Sequence, residues 1–213
     1  MHLSFARAAQ LALALTVAPF TVSTASAAPT AAVLLATYEG TGSVASIDLT
    51  THVATSCTGA LCNDLAGRYA FGRLYILGRY GCDNIQVLDP LANYATLLQF
   101  SVGNGANPQD IALVNPHRAY VSRYGSSDLW IVDPATGAHT GTVSLAAFAD
   151  ADGIPEMGQM LLAGGRLFVA LQRLDENNYF TPTDYSALAV IDTATNAVVD
   201  CDAVAAGVQP LRL

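Results

Sequence analysis

After Ala28 the chain nowhere spaces its apolar residues at the three-and-four interval of an amphipathic helix. Short runs rich in Val, Ile, Leu and Tyr appear instead, such as GRLYIL at 72–77, WIVDP at 130–134 and GRLFVA at 165–170. Gly, Pro, Asn and Asp bound each run, the punctuation of short antiparallel strands, and the chain therefore reads as all-β. The one long apolar stretch, AAQLALALTVAPF at 8–20, precedes this region.

The runs repeat. YILGRYGCDNIQVLDP at 75–90 and YVSRYGSSDLWIVDP at 120–134 place their Arg-Tyr-Gly triplets and their Asp-Pro pairs 44 residues apart. A weaker copy precedes them, with Gly40 eight residues before Asp48 as Gly81 is before Asp89. A fourth follows, in which VIDTATN at 190–196 matches IVDPATG at 131–137 and an insert of about 15 residues stretches the period at 174–186. Four short strands in a period in the low forties suit a β-propeller blade, whose sheet buries both faces against its neighbours. A two-sheet sandwich also has many short strands, but it gives no reason for the matched triplets. The expected blades are 31–57, 63–101, 108–145 and 155–201, with the start of a fifth at 207–213, where Gly207-Val208-Gln209-Pro210 matches Gly105-Ala106-Asn107-Pro108. The fold expected is an incomplete propeller ring of about four blades.

NPQDIALVNPHRAYVSRYGSSDLWIVDPATG at 107–137 and VIDTATNAVVD at 190–200 resemble the YVTN-type propeller repeats of secreted and surface bacterial proteins. The name-giving tetrapeptide is here Tyr120-Val121-Ser122-Arg123, a departure in its second half. The resemblance implies the fold and leaves activity open, because propellers host binding scaffolds and enzymes alike.

Charge narrows the function. All nine basic residues are arginine, 17 acids outnumber them, and the net charge is −8, so no basic stripe exists for nucleic acid or an anionic membrane. Residues 1–27 carry Arg7, the apolar run and Ala25-Ser26-Ala27, the zones of a secretory signal peptide cleaved after Ala27. The mature protein is expected to be exported, periplasmic or extracellular, without membrane insertion. In such an oxidising compartment Cys57, Cys62, Cys82 and Cys201 are candidates for disulfides. A short-loop Cys57–Cys62 bridge is the first expectation, and Cys62–Cys82, on one face of the second blade, its competitor.

In a blade the d-to-a and b-to-c connections emerge on the same face. For the fourth blade these carry Asp150, Asp152 and Glu156, and Asp175, Glu176 and Asp184, a candidate acidic patch able to hold a cation such as calcium. Asp-x-Asp-Gly at 150–153 lacks the further acids of a full calcium loop, and Asp, Asn and Gly are equally what turns prefer. Arg79-Tyr80 and Arg123-Tyr124 occupy the corresponding loops of blades two and three and are candidate ligand contacts, although such arginines often only pair with a nearby acid. Asp48, Asp89, Asp133 and Asp192 close strand c in each copy and read as turn residues. No nucleophile elbow or zinc-ligand spacing is present in the sequence, so no catalytic residue is assigned.

The function expected is a non-catalytic exported propeller that binds a protein, glycan or small ligand through its loop face. The alternatives are a metal-dependent propeller enzyme, lactonase or quinoprotein-like, and a fragment without a function of its own. Self-association to complete the ring is a further expectation.

Overall fold

Tight hairpins form where the sequence permits two consecutive left-handed residues, the requirement of a two-residue turn that matches strand twist. Phe71-Gly72 (φ +49° and +74°) and Gly164-Gly165 (φ +55° and +74°) are such pairs. The computed structural model describes residues 30–38 and 40–213; the leader expected at 1–27 lies outside them. The first sheet holds three strands, β1 (Ala31–Tyr38), β2 (Thr41–Asp48) and β3 (Ala54–Leu61). The second holds β4 (Leu65–Ala70), β5 (Arg73–Gly78), β6 (Asn84–Asp89) and β7 (Ala95–Ser101). The third holds β8 (Pro108–Asn115), β9 (Arg118–Arg123), β10 (Asp128–Asp133) and β11 (Ala138–Ser144). The fourth comprises β12 (Met157–Ala163) and β13 (Arg166–Leu171), then β16 (Ala187–Asp192) and β17 (Leu211–Arg212). Between β13 and β16 the insert forms a small hairpin, β14 (Leu174–Asp175) with β15 (Thr181–Pro182). All pairings are antiparallel, and the sheets follow one another in chain order as an incomplete propeller.

The core lies between the sheets. Leu74, Ile76 and Leu88 of the second sheet pack with Val44 of the first, while the alternate residues Tyr75, Leu77, Ile85 and Val87 pack with Ile111, Ala119 and Val121 of the third. Tyr120, Leu129 and Ile131 then meet Leu167, Val169 and Leu171 of the fourth. Each buried aliphatic side chain contributes roughly 1.5–3 kcal/mol, so stacking of blades is the main source of stability.

Along the inner strands one acid joins three blades. Asp110 on β8 is 3% exposed. It accepts from its neighbour Ile111 N (2.8 Å), from Met160 N of the fourth blade (2.8 Å), and from the Arg68 guanidinium of the second, with Nε at 3.2 Å. At the other end of the blades the strand-closing aspartates cap their own turns, as the sequence suggests. Asp48, Asp89, Asp133 and Asp192 each accept from a backbone N–H two residues on. Asp89 and Asp192 also pair with Arg73 and Arg166, which begin strand b of the same blades.

Two sequence expectations are corrected. The disulfide is Cys62–Cys82, with Cα atoms 6.3 Å apart, and not Cys57–Cys62. Cys57 lies within extended β3, where five residues span about 16 Å, beyond the reach of a disulfide. Cys201 is free and exposed. Residues 207–213 do not open a fifth blade. Leu211–Arg212 pairs with Ala187 and Leu188 as the outer strand of the fourth sheet, because a loop from Asp200 to Gln209, closed by Cys201 N to Gln209 O, interrupts that strand and returns the chain to the same edge.

Loss of the Asp110 carboxylate in Asp110→Ala is expected to destabilise the fold by about 3–5 kcal/mol, because the Arg68 charge and the Met160 N–H lose their shared partner. Urea unfolding monitored by tyrosine and tryptophan fluorescence measures this directly. The Cys62→Ser/Cys82→Ser variant, like the reduced wild type, is expected to lose about 3 kcal/mol, the chain entropy of opening a loop of 20 residues.

Candidate functional site

The Arg-Tyr-Gly triplets sit where strand b runs into the b-to-c turn. Gly81 adopts φ +81° with open space around it, so glycine is needed there for the turn. Gly125 is needed for proximity, since a Cβ would come within 2.3 Å of the Gly105 carbonyl oxygen. Both arginines are engaged by the fold. Arg79 donates from Nε (2.9 Å) and Nη2 (2.6 Å) to Asp64 and from Nη1 to Gln109 Oε1 (2.7 Å). Arg123 donates to the Val102 carbonyl (2.9 Å) and Ser126 Oγ (2.9 Å), with its guanidinium 4.4 Å from the centre of the Trp130 ring. The tyrosines part company. Tyr80 is 81% exposed. Tyr124 is half-buried, and burial, reinforced by Glu156, Glu176 and Asp152, raises its hydroxyl pKa.

Of the six acids expected to cluster, Asp150, Asp152 and Glu156 do so, with one carboxylate oxygen from each lying within 4.8 Å of the others. The connection from the third blade folds through successive Asx turns: Asp150 Oδ1 accepts from Asp152 N (3.3 Å) and Asp152 Oδ1 from Ile154 N (2.9 Å). Gly153 (φ +89°) and Glu156 (φ +45°) complete the bend and turn the Glu156 side chain inward, where it is fully buried. The carboxylates then fasten the insert. Glu156 Oε2 accepts from Leu174 N (2.8 Å) and Asp152 Oδ2 from Glu176 N (2.9 Å). Glu156 Oε1 and Asp150 Oδ2 are buried without a donor.

Burial pushes the Glu156 carboxyl up to about 7, against the pull of Leu174 N and with the repulsion of Asp152, Asp150 and Glu176. Burial also raises Asp150, helped by the hydrogen bond it shares with Asp152. For Asp152 burial is outweighed by the Glu176 and Ile154 N–H donors, and its pKa is lowered. Glu176, whose backbone N–H reaches Asp152, is raised by burial and then by Asp152 and Asp150. Asp175 instead caps the turn at Glu176–Asn178 through Asn177 N (3.0 Å), and Asp184, 70% exposed at its side chain, lies 3.5 Å from Arg173.

Sequence reading missed Arg173 and Asp110. Arg173 is a cation whose charge acts on Asp150; it donates to the Tyr185 hydroxyl (2.7 Å), the guanidinium groups of Arg173 and Arg212 lie 4.2 and 4.4 Å from the centre of that ring, and Arg173 Nε is buried without a partner. Its position two residues past β13 carried no signal. Asp110 did carry one, a single acid beginning the otherwise apolar segment DIALV.

No family model and no curated protein matches the chain. Solved structures do resemble it. A hydrazine synthase chain from Kuenenia stuttgartiensis superposes with a TM-score of 0.57 at 18% identity, over 80% of this chain and 43% of that one. The dihydro-heme d1 dehydrogenase NirN gives 0.54 at 12% identity over 85% and 35%, and a chain of the Nidogen/Laminin complex 0.51 at 13% over 74% and 54%. The chain thus spans about half or less of the length of these proteins. At such identities the likeness is one of fold, a β-propeller.

The raised Glu156 pKa has a defined consequence for stability. Below pH 4.5, its ordinary value, the group is neutral in both folded and unfolded chains and costs nothing. Between 4.5 and about 7 the unfolded chain ionises first, so stability falls as pH rises, and above 7 the whole cost, about 3 kcal/mol, is in place. Glu156→Gln, which keeps the acceptor for Leu174 N, is therefore expected to raise Tm at pH 8 in chelator-treated buffer and to leave it unchanged at pH 4.5. Thermal melts at the two pH values check this.

Proposed function

We propose that the protein is an exported, non-catalytic propeller module of the YVTN-repeat type that binds a protein, glycan or small ligand through its loop face. One observation carries this reading. The same turn motif occurs twice, an Asp cap, one turn of 3₁₀ helix and two consecutive left-handed residues, at Asp89 to Tyr94 and at Asp175 to Phe180. In the first, Tyr94 is buried between blades one and two. In the second, Tyr179 is 96% and Phe180 53% exposed. Non-glycine residues held left-handed carry a local conformational cost, which burial of the ring offsets at Tyr94 and does not offset at Tyr179. Here the turn presents two aromatic rings on a b-to-c connection, the class of loop that also carries exposed Tyr80. Exposed aromatic side chains are the commonest anchors of binding surfaces.

Export is supported by the leader pattern of residues 1–27 and by the Cys62–Cys82 bridge, which persists in an oxidising compartment. The reading includes association of copies through the outer face of the fourth blade, where Leu161 and Leu211 are exposed. A metal-dependent enzyme of lactonase or quinoprotein-like type is the second reading, favoured by the converging carboxylates Asp150, Asp152 and Glu156.

Glycan and peptide arrays probed with the mature protein and with Tyr80→Ser/Tyr179→Ser/Phe180→Ser distinguish the two. Binding that falls at least about tenfold in the triple variant, with Tm unchanged, is the expected result. Undiminished binding by that variant, or turnover of a lactone by the wild type in the presence of calcium or manganese, overturns the binding reading.

A further inference from the structure

We propose that Asp150, Asp152 and Glu156 form a binding site for a hard divalent cation of the calcium class, and that the ion locks the 172–186 insert onto the fourth blade. The inference starts from Glu156. A glutamate with no exposed surface is rare unless its oxygens are matched, because a buried carboxylate oxygen without a donor forfeits its hydration. Glu156 Oε2 is matched by Leu174 N, and Oε1 is matched by nothing. Asp150 repeats the arrangement, with Oδ1 on Asp152 N and Oδ2 buried without a donor. The unmatched oxygens belong to the group of three carboxylates that offer ligand atoms within 4.8 Å of one another. Oxygens coordinated to one calcium ion, each about 2.3–2.6 Å from the metal, span no more than about 5 Å, so one ion can serve all three.

The donor set selects the ion. It contains carboxylate oxygen and neither imidazole nor thiolate, which suits calcium, magnesium or manganese rather than zinc or copper. Three carboxylates from an irregular loop suit calcium best, since calcium accepts uneven coordination completed by water, whereas magnesium demands near-ideal octahedral geometry. Arg173 acts on Asp150 through its charge, but its Nη1 and Nη2 face the Tyr185 hydroxyl and Asp184 and its Nε is buried without a partner, so it gives no hydrogen bond to the three acids, and one positive charge leaves the carboxylates in excess.

The same carboxylates explain what the ion does. Glu156 accepts from Leu174 N and Asp152 from Glu176 N, so fixing the three acids around a metal fixes both ends of the short segment that enters the insert. The exposed Tyr179 and Phe180 follow within four residues. Calcium is therefore a structural element of the fourth blade, whatever partner the loop face takes, and affinity in the range of extracellular modules, about 10⁻⁴–10⁻³ M, suits an exported protein.

The test is titration of calcium chloride into chelator-treated, desalted mature protein at pH 7.5, followed by calorimetry, thermal melting and limited proteolysis. The expected result is one ion per chain, a Tm raised by several degrees, and slower cleavage within 172–186. Glu156→Gln and, as an independent variant, Asp150→Asn should each weaken binding at least about tenfold. Asp202→Asn, an exposed turn residue remote in sequence from the cluster, should bind as the wild type does. The Tyr80→Ser/Tyr179→Ser/Phe180→Ser variant should also keep the calcium response, which separates this site from the partner surface. Absence of heat and of any Tm shift with calcium, magnesium or manganese overturns the proposal, as does an undiminished calcium response in folded Glu156→Gln.

Discussion

A propeller is held by contacts between blades, and in this chain one buried carboxylate is common to three of them. Asp110 receives the Met160 N–H from the blade after its own and the Arg68 guanidinium from the blade before. The apolar layers of Leu, Ile and Val supply most of the stacking energy, but they are non-directional and tolerate sliding. Hydrogen bonds at fixed angles on the innermost strands do not. They set how far blades two, three and four advance past one another, and the positions of their outer loops follow from that register. The Tyr120 hydroxyl and Arg118, both reaching Asn196 Oδ1 at 2.6 Å, do the same further out between blades three and four.

Two buried acids, one on β8 and one in the bend just before β12, thus meet opposite fates. Asp110 is surrounded by donors and an arginine, and its burial is compensated. Glu156 is equally buried with one oxygen matched, three other acids nearby and a carboxyl raised to about 7. The first arrangement is what a fold needs. The second stores electrostatic cost at the base of a loop that departs from the repeat, the cost that the proposed cation would relieve.

The repeated triplet carries a related lesson about reading motifs. Arg79 and Arg123 occupy equivalent positions, yet one pairs with Asp64 of its own blade and reaches Gln109 of the third, while the other stacks on Trp130. Gly81 and Gly125 are likewise equivalent, one for a left-handed turn and one for a close backbone approach. Equivalence in sequence preserved the position on the blade and not the interaction, because each blade presents a different neighbour to it.

Strand content, repeat period, the role of the strand-closing aspartates and the grouping of Asp150, Asp152 and Glu156 were legible in the sequence. Each follows from local chemistry: β-branched runs, turn residues at fixed intervals, and a register that places two loops at one end of a blade. The partner of Cys62, the destination of residues 207–213 and the compensation of Asp110 were not legible, since each depends on which strand lies beside which. Strand b shows the division most directly. RLYILG in the second blade and RLFVAL in the fourth are near-copies. The first is buried at every position after its arginine, and the second at alternate positions only. The sequence determined that both are strands with apolar side chains on two faces; the stacking of the sheets decided that a blade lies against both faces of one and against a single face of the other.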